Sequence, residues 1–251
     1  MRRRIVFVTL FIQLILTSIV FAETAQITNG LNYLTSTQNT DGSWTSGEES
    51  ISAAEEIIKT LSLLNQTSTS GYALALSWLQ SQSLETTNHL ADRIFVLGSA
   101  GTDGDLLISY LDDLVRAWGG YNDYIVNNLD TTHALQALKK INYTDQAVIQ
   151  AAISYLLTNQ NSDGGWGFEA GENSNVFMTA TVVTALTQFD TLYDFQTPIN
   201  NGAAFLMGKQ NTDGGFGSSP STAYETGLAM EALIASGVNI SAKSGTPYQF
   251  F

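Results

Sequence analysis

Gln160-Asn161-Ser162-Asp163-Gly164-Gly165-Trp166 is the stretch on which the reading of this chain turns. It has an upstream counterpart, Gln38-Asn39-Thr40-Asp41-Gly42-Ser43-Trp44, and a downstream one, Gln210-Asn211-Thr212-Asp213-Gly214-Gly215-Phe216. Each follows an aromatic-leucine pair (Tyr33-Leu34, Tyr155-Leu156, Phe205-Leu206), and the aromatic-to-glycine distance is nine residues every time. Tyr110-Leu111 with Gly119-Gly120-Tyr121 keeps that distance, although Val115 stands where glutamine is expected. Trp78-Leu79, with Gln82 nearby and no glycine turn after it, is a degenerate fifth copy. One register held four times marks an internal repeat.

Between these markers the apolar residues follow helical periodicity. Val148, Ala151, Ala152, Tyr155 and Leu156 share one face of a helix running into the aromatic-leucine pair. The Asp-Gly or Gly-Gly that follows stops the helix, since glycine reaches positive φ without a Cβ clash. A second helix then begins, as at 52–64, 130–141, 177–189 and 223–235, with Asp130 and Ser221 read as capping residues. These second helices are small and apolar, Ala180-Thr-Val-Val-Thr-Ala-Leu186 being hydrophobic nearly all round, so they must be covered on several sides. The expected fold is all-α: about five helical hairpins, at 26–64, 70–100, 104–141, 145–189 and 198–237, forming a partial α/α toroid of inner and outer helices. A straight solenoid is the competing arrangement.

The chain opens with Arg2, Arg3 and Arg4, an apolar run from Ile5 to Phe21, and a small residue at Ala22. That order is expected to be a bacterial secretory signal peptide over 1–22, followed by the repeat domain at 23–238 and a polar tail at 239–251. Cleavage would leave seven basic groups against 23 acidic ones, a net charge of −16. Such a surface repels nucleic-acid phosphates and anionic lipid, so no nucleic-acid partner is expected, and no membrane contact once the signal is removed. The absence of cysteine excludes disulfides, thiolate nucleophiles and Cys-ligated zinc or iron–sulfur sites.

The aromatic-Leu-x3-Gln-x3-Gly-x-aromatic pattern resembles the QW motif of squalene and terpenoid cyclases, and the repeats of protein prenyltransferase β-subunits. The resemblance covers nearly all of the chain after residue 22 and implies an α/α toroid. It also implies that Gln38 with Trp44, Gln160 with Trp166, and Gln210 with Phe216 tie each outer helix to its neighbour. The chemistry of those enzymes does not carry over. The Asp-x-Asp-Asp acid motif of the cyclases is reduced to Tyr110-Leu111-Asp112-Asp113, placed on an outer helix, and the prenyltransferase Asp/Cys/His zinc set has no cysteine. The Asn-x-Asp-Gly turns lack the later bidentate glutamate of a calcium loop and read as turn chemistry. No metal site and no cofactor are expected.

The remaining candidates lie where inner helices begin. Glu48, Glu49 and Glu55 stand at the first, His89 and Asp92 at the second, Asp130 and His133 at the third, Asn173 and Asn175 at the fourth, and Tyr224 and Glu225 at the fifth. As a cavity-rim ligand site the set is Glu48, Glu49, His89, Asp92, Asp130, His133 and Glu225, with Glu225 the foremost cavity-facing acid. Catalysis would rest on His133, Glu225 and Tyr224. Acids at helix starts also favour the macrodipole and cap free amides without any further role. Three functions follow: a noncatalytic binding or structural module for a small molecule, glycan or protein; a polymer lyase using Tyr224, His133 and Arg93; and a cyclase-like enzyme. Toroids that carry cobalamin make a bulky ligand conceivable by fold analogy alone. Five hairpins can leave the ring open, which would be covered by a homo-oligomeric partner or a missing repeat.

Overall fold

A computed structural model describes residues 25–45, 49–98, 101–111, 116–121, 124–189, 194–217 and 220–237. The expected signal peptide at 1–22, Glu48, Asp112, Asp113 and the tail 239–251 lie outside the described residues. Ten helices are present among those described: α1 (Ala25–Thr37), α2 (Glu49–Leu63), α3 (Ser70–Ser81), α4 (Thr87–Leu97), α5 (Gly101–Ser109), α6 (Asn128–Lys140), α7 (Gln146–Thr158), α8 (Val176–Thr187), α9 (Gln196–Gly208) and α10 (Ala223–Ala235). None is long and apolar enough to cross a membrane. Beyond the helices, the described residues hold only isolated bridges, including Gly119 with Val126 and Phe216 with Thr222.

The even-numbered helices pack on one another in order, α2 on α4, α4 on α6, α6 on α8 and α8 on α10, and form the inner layer. The odd-numbered helices lie outside, each of α3, α5, α7 and α9 packing on the inner helix that precedes it. Tyr224 at the start of α10 nonetheless lies within electrostatic reach of Glu56 and Lys59 on α2 and of Asp92 on α4. The fifth inner helix therefore comes round to face the first two, which is the curl of a toroid and not of a straight solenoid.

The repeat motif supplies the fastenings. The motif tryptophan adds a side-chain donor to the last turn of the outer helix: Trp44 Nε1 donates to Leu34 O and Trp166 Nε1 to Leu156 O, both at 2.7 Å, Leu156 O also accepting from Asn159 N. Gln38 Nε2 donates to Gly42 O at 3.0 Å and to Gly71 O at 2.9 Å. Gln160 repeats this with Gly164 O at 2.8 Å and Pro198 O at 2.9 Å. One amide thus holds its own turn and the first turn of the next outer helix. Gln210 bonds the corresponding turn carbonyl, Gly214 O, at 2.9 Å. Inside each turn the aspartate closes on itself: Asp163 Oδ1 accepts from Gly165 N and Ser174 Oγ, and Asp213 Oδ1 from Gly215 N and Ser221 Oγ.

Two copies depart from the expected register. In the third, Trp118 is the motif aromatic, fully buried with Nε1 donating to Leu107 O at 2.7 Å, while Tyr121 is half exposed. The helix α5 ends at Ser109, so the Tyr110-Leu111 pair falls beyond it and Leu107 takes the leucine position. In the degenerate second copy no indole follows Leu79. Arg93 from α4 fills the vacancy, donating to Leu79 O at 3.0 Å and to Gln82 O at 2.6 Å.

The inner helices are fastened at their starts. In three repeats the backbone N–H of the motif aromatic donates to a threonine one turn into the next inner helix: Trp118 to Thr131, Trp166 to Thr179, and Phe216 to Thr226. The caps are Asn127, Asn175 and Thr222. Asp130 and Ser221 are therefore not the caps, which lie three residues before Asp130 and one residue after Ser221.

Gly164 and Gly214 both sit at φ +86°, but a Cβ on Gly164 would lie 2.6 Å from Asn201 O, whereas one on Gly214 would meet nothing within 4 Å. Alanine at Gly214 is expected to cost about 1–2 kcal/mol, the ordinary left-handed penalty. Alanine at Gly164 is expected to cost clearly more, because backbone must move, and paired urea melts of the two variants measure the difference.

Candidate functional site

The inner helices start on a common edge, so polar residues in their first turns and a half converge there. His89, the third residue of α4, hydrogen-bonds through Nδ1 to Glu55 Oε2 of α2 at 3.2 Å. His133, the sixth residue of α6, does the same to Asp92 Oδ1 of α4 at 3.3 Å. Lys59 of α2 reaches Asp92 Oδ1 at 3.3 Å and Glu56 Oε1 at 3.1 Å. The result is a charged band crossing α2, α4 and α6, with Tyr224 of α10 close enough to feel Glu56, Lys59 and Asp92. Tyr224 is largely exposed, and its ring stacks on Phe177 of α8 at 6.0 Å.

The electrostatics follow from burial and pairing. Burial pushes the Glu55 carboxyl up, and the hydrogen bond to Glu55 pushes His89 up, so each holds its proton to higher pH than it ordinarily would. For Asp92, burial works to raise the value, but the hydrogen bond from His133 and the charges of His133 and Lys59 overcome it and hold the carboxyl below its ordinary range. His133 is the mirror case, with burial working downward and Asp92 prevailing to raise it. Lys59 is likewise raised, the pull of Asp92 and Glu56 outweighing burial.

The other expected site residues are placed as follows. Asp130 is buried and paired with the cap, Asn127 Oδ1 accepting from Asp130 N at 2.9 Å and Asn127 Nδ2 donating to Asp130 Oδ2 at 2.6 Å. Burial raises its carboxyl. Glu225 sits in a similar reciprocal cap: its N–H donates to Thr222 Oγ1, and its Oε2 accepts from that hydroxyl at 3.0 Å. Gly217 packs so closely there that a Cβ would strike the Glu225 carboxylate. Asn175 caps α8, Asn173 is exposed in the preceding loop, and Glu49 is the first residue of α2. Arg93 is turned toward α3 and α5 and grips Asp103 with both arms at 2.6 and 2.7 Å, which keeps it apart from His133 and Tyr224. Lys59 and Glu56 were not among the expected residues. They lie in mid-helix, and only the spacing of Lys59, four residues from Glu55 and three from Glu56, could have marked that face of α2.

Chemically, the band can offer hydrogen bonds from imidazoles, an ammonium and a phenol. Among the described residues no group of three or more His, Asp or Glu side chains is arranged to hold a metal ion.

Residues 123–244 match the family of the squalene-hopene cyclase C-terminal domain. Among solved structures, ent-copalyl diphosphate synthase from Streptomyces platensis is similar at a TM-score of 0.59 and 19% identity, over 78% of this chain and 41% of that one. The chain thus spans well under half the length of that enzyme. A protein from Actinoplanes is similar at a TM-score of 0.65 and 13% identity, over 87% of each chain. No curated protein matches the sequence.

The raised histidines make stability depend on pH. A histidine raised above its unfolded value stabilises fully below that value, about 6.5, and loses its contribution as pH climbs through the folded value. Raised Glu55 acts in the same direction, since ionising it costs the folded state, whereas lowered Asp92 contributes above the ordinary carboxylate range and fails only in acid. The melting temperature is therefore expected to fall as pH rises above 6.5. His133→Gln should lower it mainly below that pH and flatten the decline, as calorimetry across the range would record.

Proposed function

Taking the chain as squalene/terpenoid cyclase-like in repeat and fold, we propose that it is an exported binding module that receives a small ligand on the edge where α2, α4, α6 and α10 begin. Export is read from the first 22 residues, whose charge and apolar order suit a secretory leader. The observation that carries the binding reading is the closed pairing of the band. Asp92 is committed to His133 and Lys59, Asp130 to Asn127, Glu225 to Thr222, and Arg93 to Asp103 and two carbonyls. Groups fixed in this way form a pre-organised polar face. Arg93, held by Asp103 and two carbonyls on the α3 and α5 side, does not join His133 and Tyr224 in the set a lyase would need.

A second reading, a cyclase-like enzyme, is favoured by one residue. Glu55 is 2% exposed, and burial holds its proton tightly, which suits a carboxylic acid that protonates a substrate. The two readings part in one experiment. The protein is screened by thermal shift against cobalamins, isoprenoid diphosphates and neutral and anionic oligosaccharides, and every compound that shifts it is assayed for turnover. A ligand at about 100 times its Kd should add about 2.7 kcal/mol of stability. Binding without conversion, lost in His133→Gln, is the expected result. Product formation that disappears in Glu55→Gln would instead establish the enzyme, and a cooperative melt unmoved by every compound would remove the small-ligand function.

A further inference from the structure

The first and last helices described expose faces that the helices between them bury. Four residues before the motif leucine, three outer helices carry a small, buried residue: Ala75 in α3, Ala152 in α7 and Gly202 in α9. In α9 that residue touches the preceding inner helix, since a Cβ on Gly202 would strike Val183 Cγ2 of α8. Its counterpart in α1 is Gly30, which is exposed, with nothing within 4 Å of a Cβ among the described residues. Beside it Tyr33 is 67% exposed where Phe205 of α9 is 7%. Leu34 is half-buried, whereas Leu79, Leu107, Leu156 and Leu206 are fully buried. The helix α1 also carries no charged residue, in a chain whose formal net charge is −13.

The complementary face is on α10. The residues five and eight positions after the cap are buried in α6 (Thr132, Leu135) and in α8 (Ala180, Val183). In α10 they are Gly227, exposed, and Met230, half-buried, and Ile234 continues the same face at 61% exposure. Met230 thus stands where Val183 meets Gly202. The turn before α10 agrees in register. A Cβ on Gly42 would strike Leu74 O of the next outer helix, and one on Gly164 would strike Asn201 O, each of these five residues before a motif leucine. Gly214 meets nothing within 4 Å among the described residues, and the residue five before the motif leucine of α1 is Asn29.

We propose that α1 of one copy of this chain docks on α10 of a second copy, in the register in which α9 lies on α8, with Gly30 against Met230 and Gly214 against Asn29 O. The contact continues the one that α3, α7 and α9 already make with the inner helices before them. Within one copy the two faces do not meet, because Gln38 ties the end of α1 to Gly71 O of α3 and Gly30 stands open. Docking takes Tyr33, Met230 and Ile234 out of water, and the absence of charge on α1 means that no ion has to be desolvated there. Copies this acidic repel one another at long range, so association strengthens as salt screens them.

The chain has no cysteine, so the double variant Gly30→Cys, Met230→Cys reports the contact by oxidation. Disulfide-linked species of two or more chains are expected on a denaturing gel. Light scattering of the parent should give a mass above that of one chain at micromolar concentration, and more so at high salt. Gly30→Glu and Gly227→Glu place a charge at open helical positions. Each should keep the circular dichroism and cooperative melt of the parent, yet raise the dissociation constant about tenfold or more. A parent that stays monomeric at every salt concentration would overturn the proposal, as would association indifferent to both glutamates. A disulfide closed within one chain would also overturn it, by showing that α1 covers α10 of its own copy.

Discussion

Everything in this molecule hangs on how the C-terminal carbonyls of the outer helices are satisfied. The backbone gives these carbonyls one donor each, as Asn159 N does for Leu156 O, Tyr110 N for Leu107 O and Gln82 N for Leu79 O, and a side chain from outside the helix gives the second. Trp44, Trp118 and Trp166 each deliver an indole N–H to a leucine carbonyl at 2.7 Å. Where the indole is missing, Arg93 supplies a guanidinium N–H to Leu79 O, so the requirement outlives the residue that usually meets it. Because the same aromatic hands its backbone N–H to a threonine of the following inner helix, one residue ties the end of an outer helix to the beginning of an inner one.

That coupling explains why the chemistry gathers on one edge. In three of the inner helices a cap is followed, four residues on, by the anchoring threonine that holds the motif aromatic: Asn127 and Thr131, Asn175 and Thr179, Thr222 and Thr226. Residues in the first two turns of neighbouring helices are thereby brought level. The pairs of Glu55 with His89 and Asp92 with His133 lie on that edge, and each joins one inner helix to the next. The band also gives the apolar inner layer, otherwise made of residues such as Ala134, Leu135, Val182 and Val183, its polar end.

Much of the fold was legible because turn chemistry is local. Asp163, Gly164 and Gln160 act within four residues of one another, so their spacing in the chain carries their geometry. The all-helical toroid is as the repeat implied, and Gln38 and Gln160 each bond a carbonyl of the next outer helix. The third repeat was misregistered because counting from Tyr110 found glycines at the right distance while the buried indole, Trp118, lay just before them. Arg93 looked like a candidate for chemistry, although its role is to repair a repeat without tryptophan; nothing near it in sequence names Leu79 or Asp103 as partners. His89, Asp92 and His133 could be placed on the edge from helix position alone. Their partners could not, since Glu55 to His89 and Asp92 to His133 span more than thirty residues and depend on which faces the inner helices turn to each other.

The central claim is that the indole fastenings open only when the whole repeat array does. Trp118 and Trp166 are fully buried with their N–H groups bonded, whereas Trp44 and Trp78 are partly exposed. Native-state hydrogen exchange of the indole N–H signals, followed by NMR as denaturant is added, measures this directly. The account predicts that the Trp118 and Trp166 signals exchange last, together, and with the free energy of global unfolding. Exchange of either one at low denaturant, by local opening while the remaining amides stay protected, would contradict it.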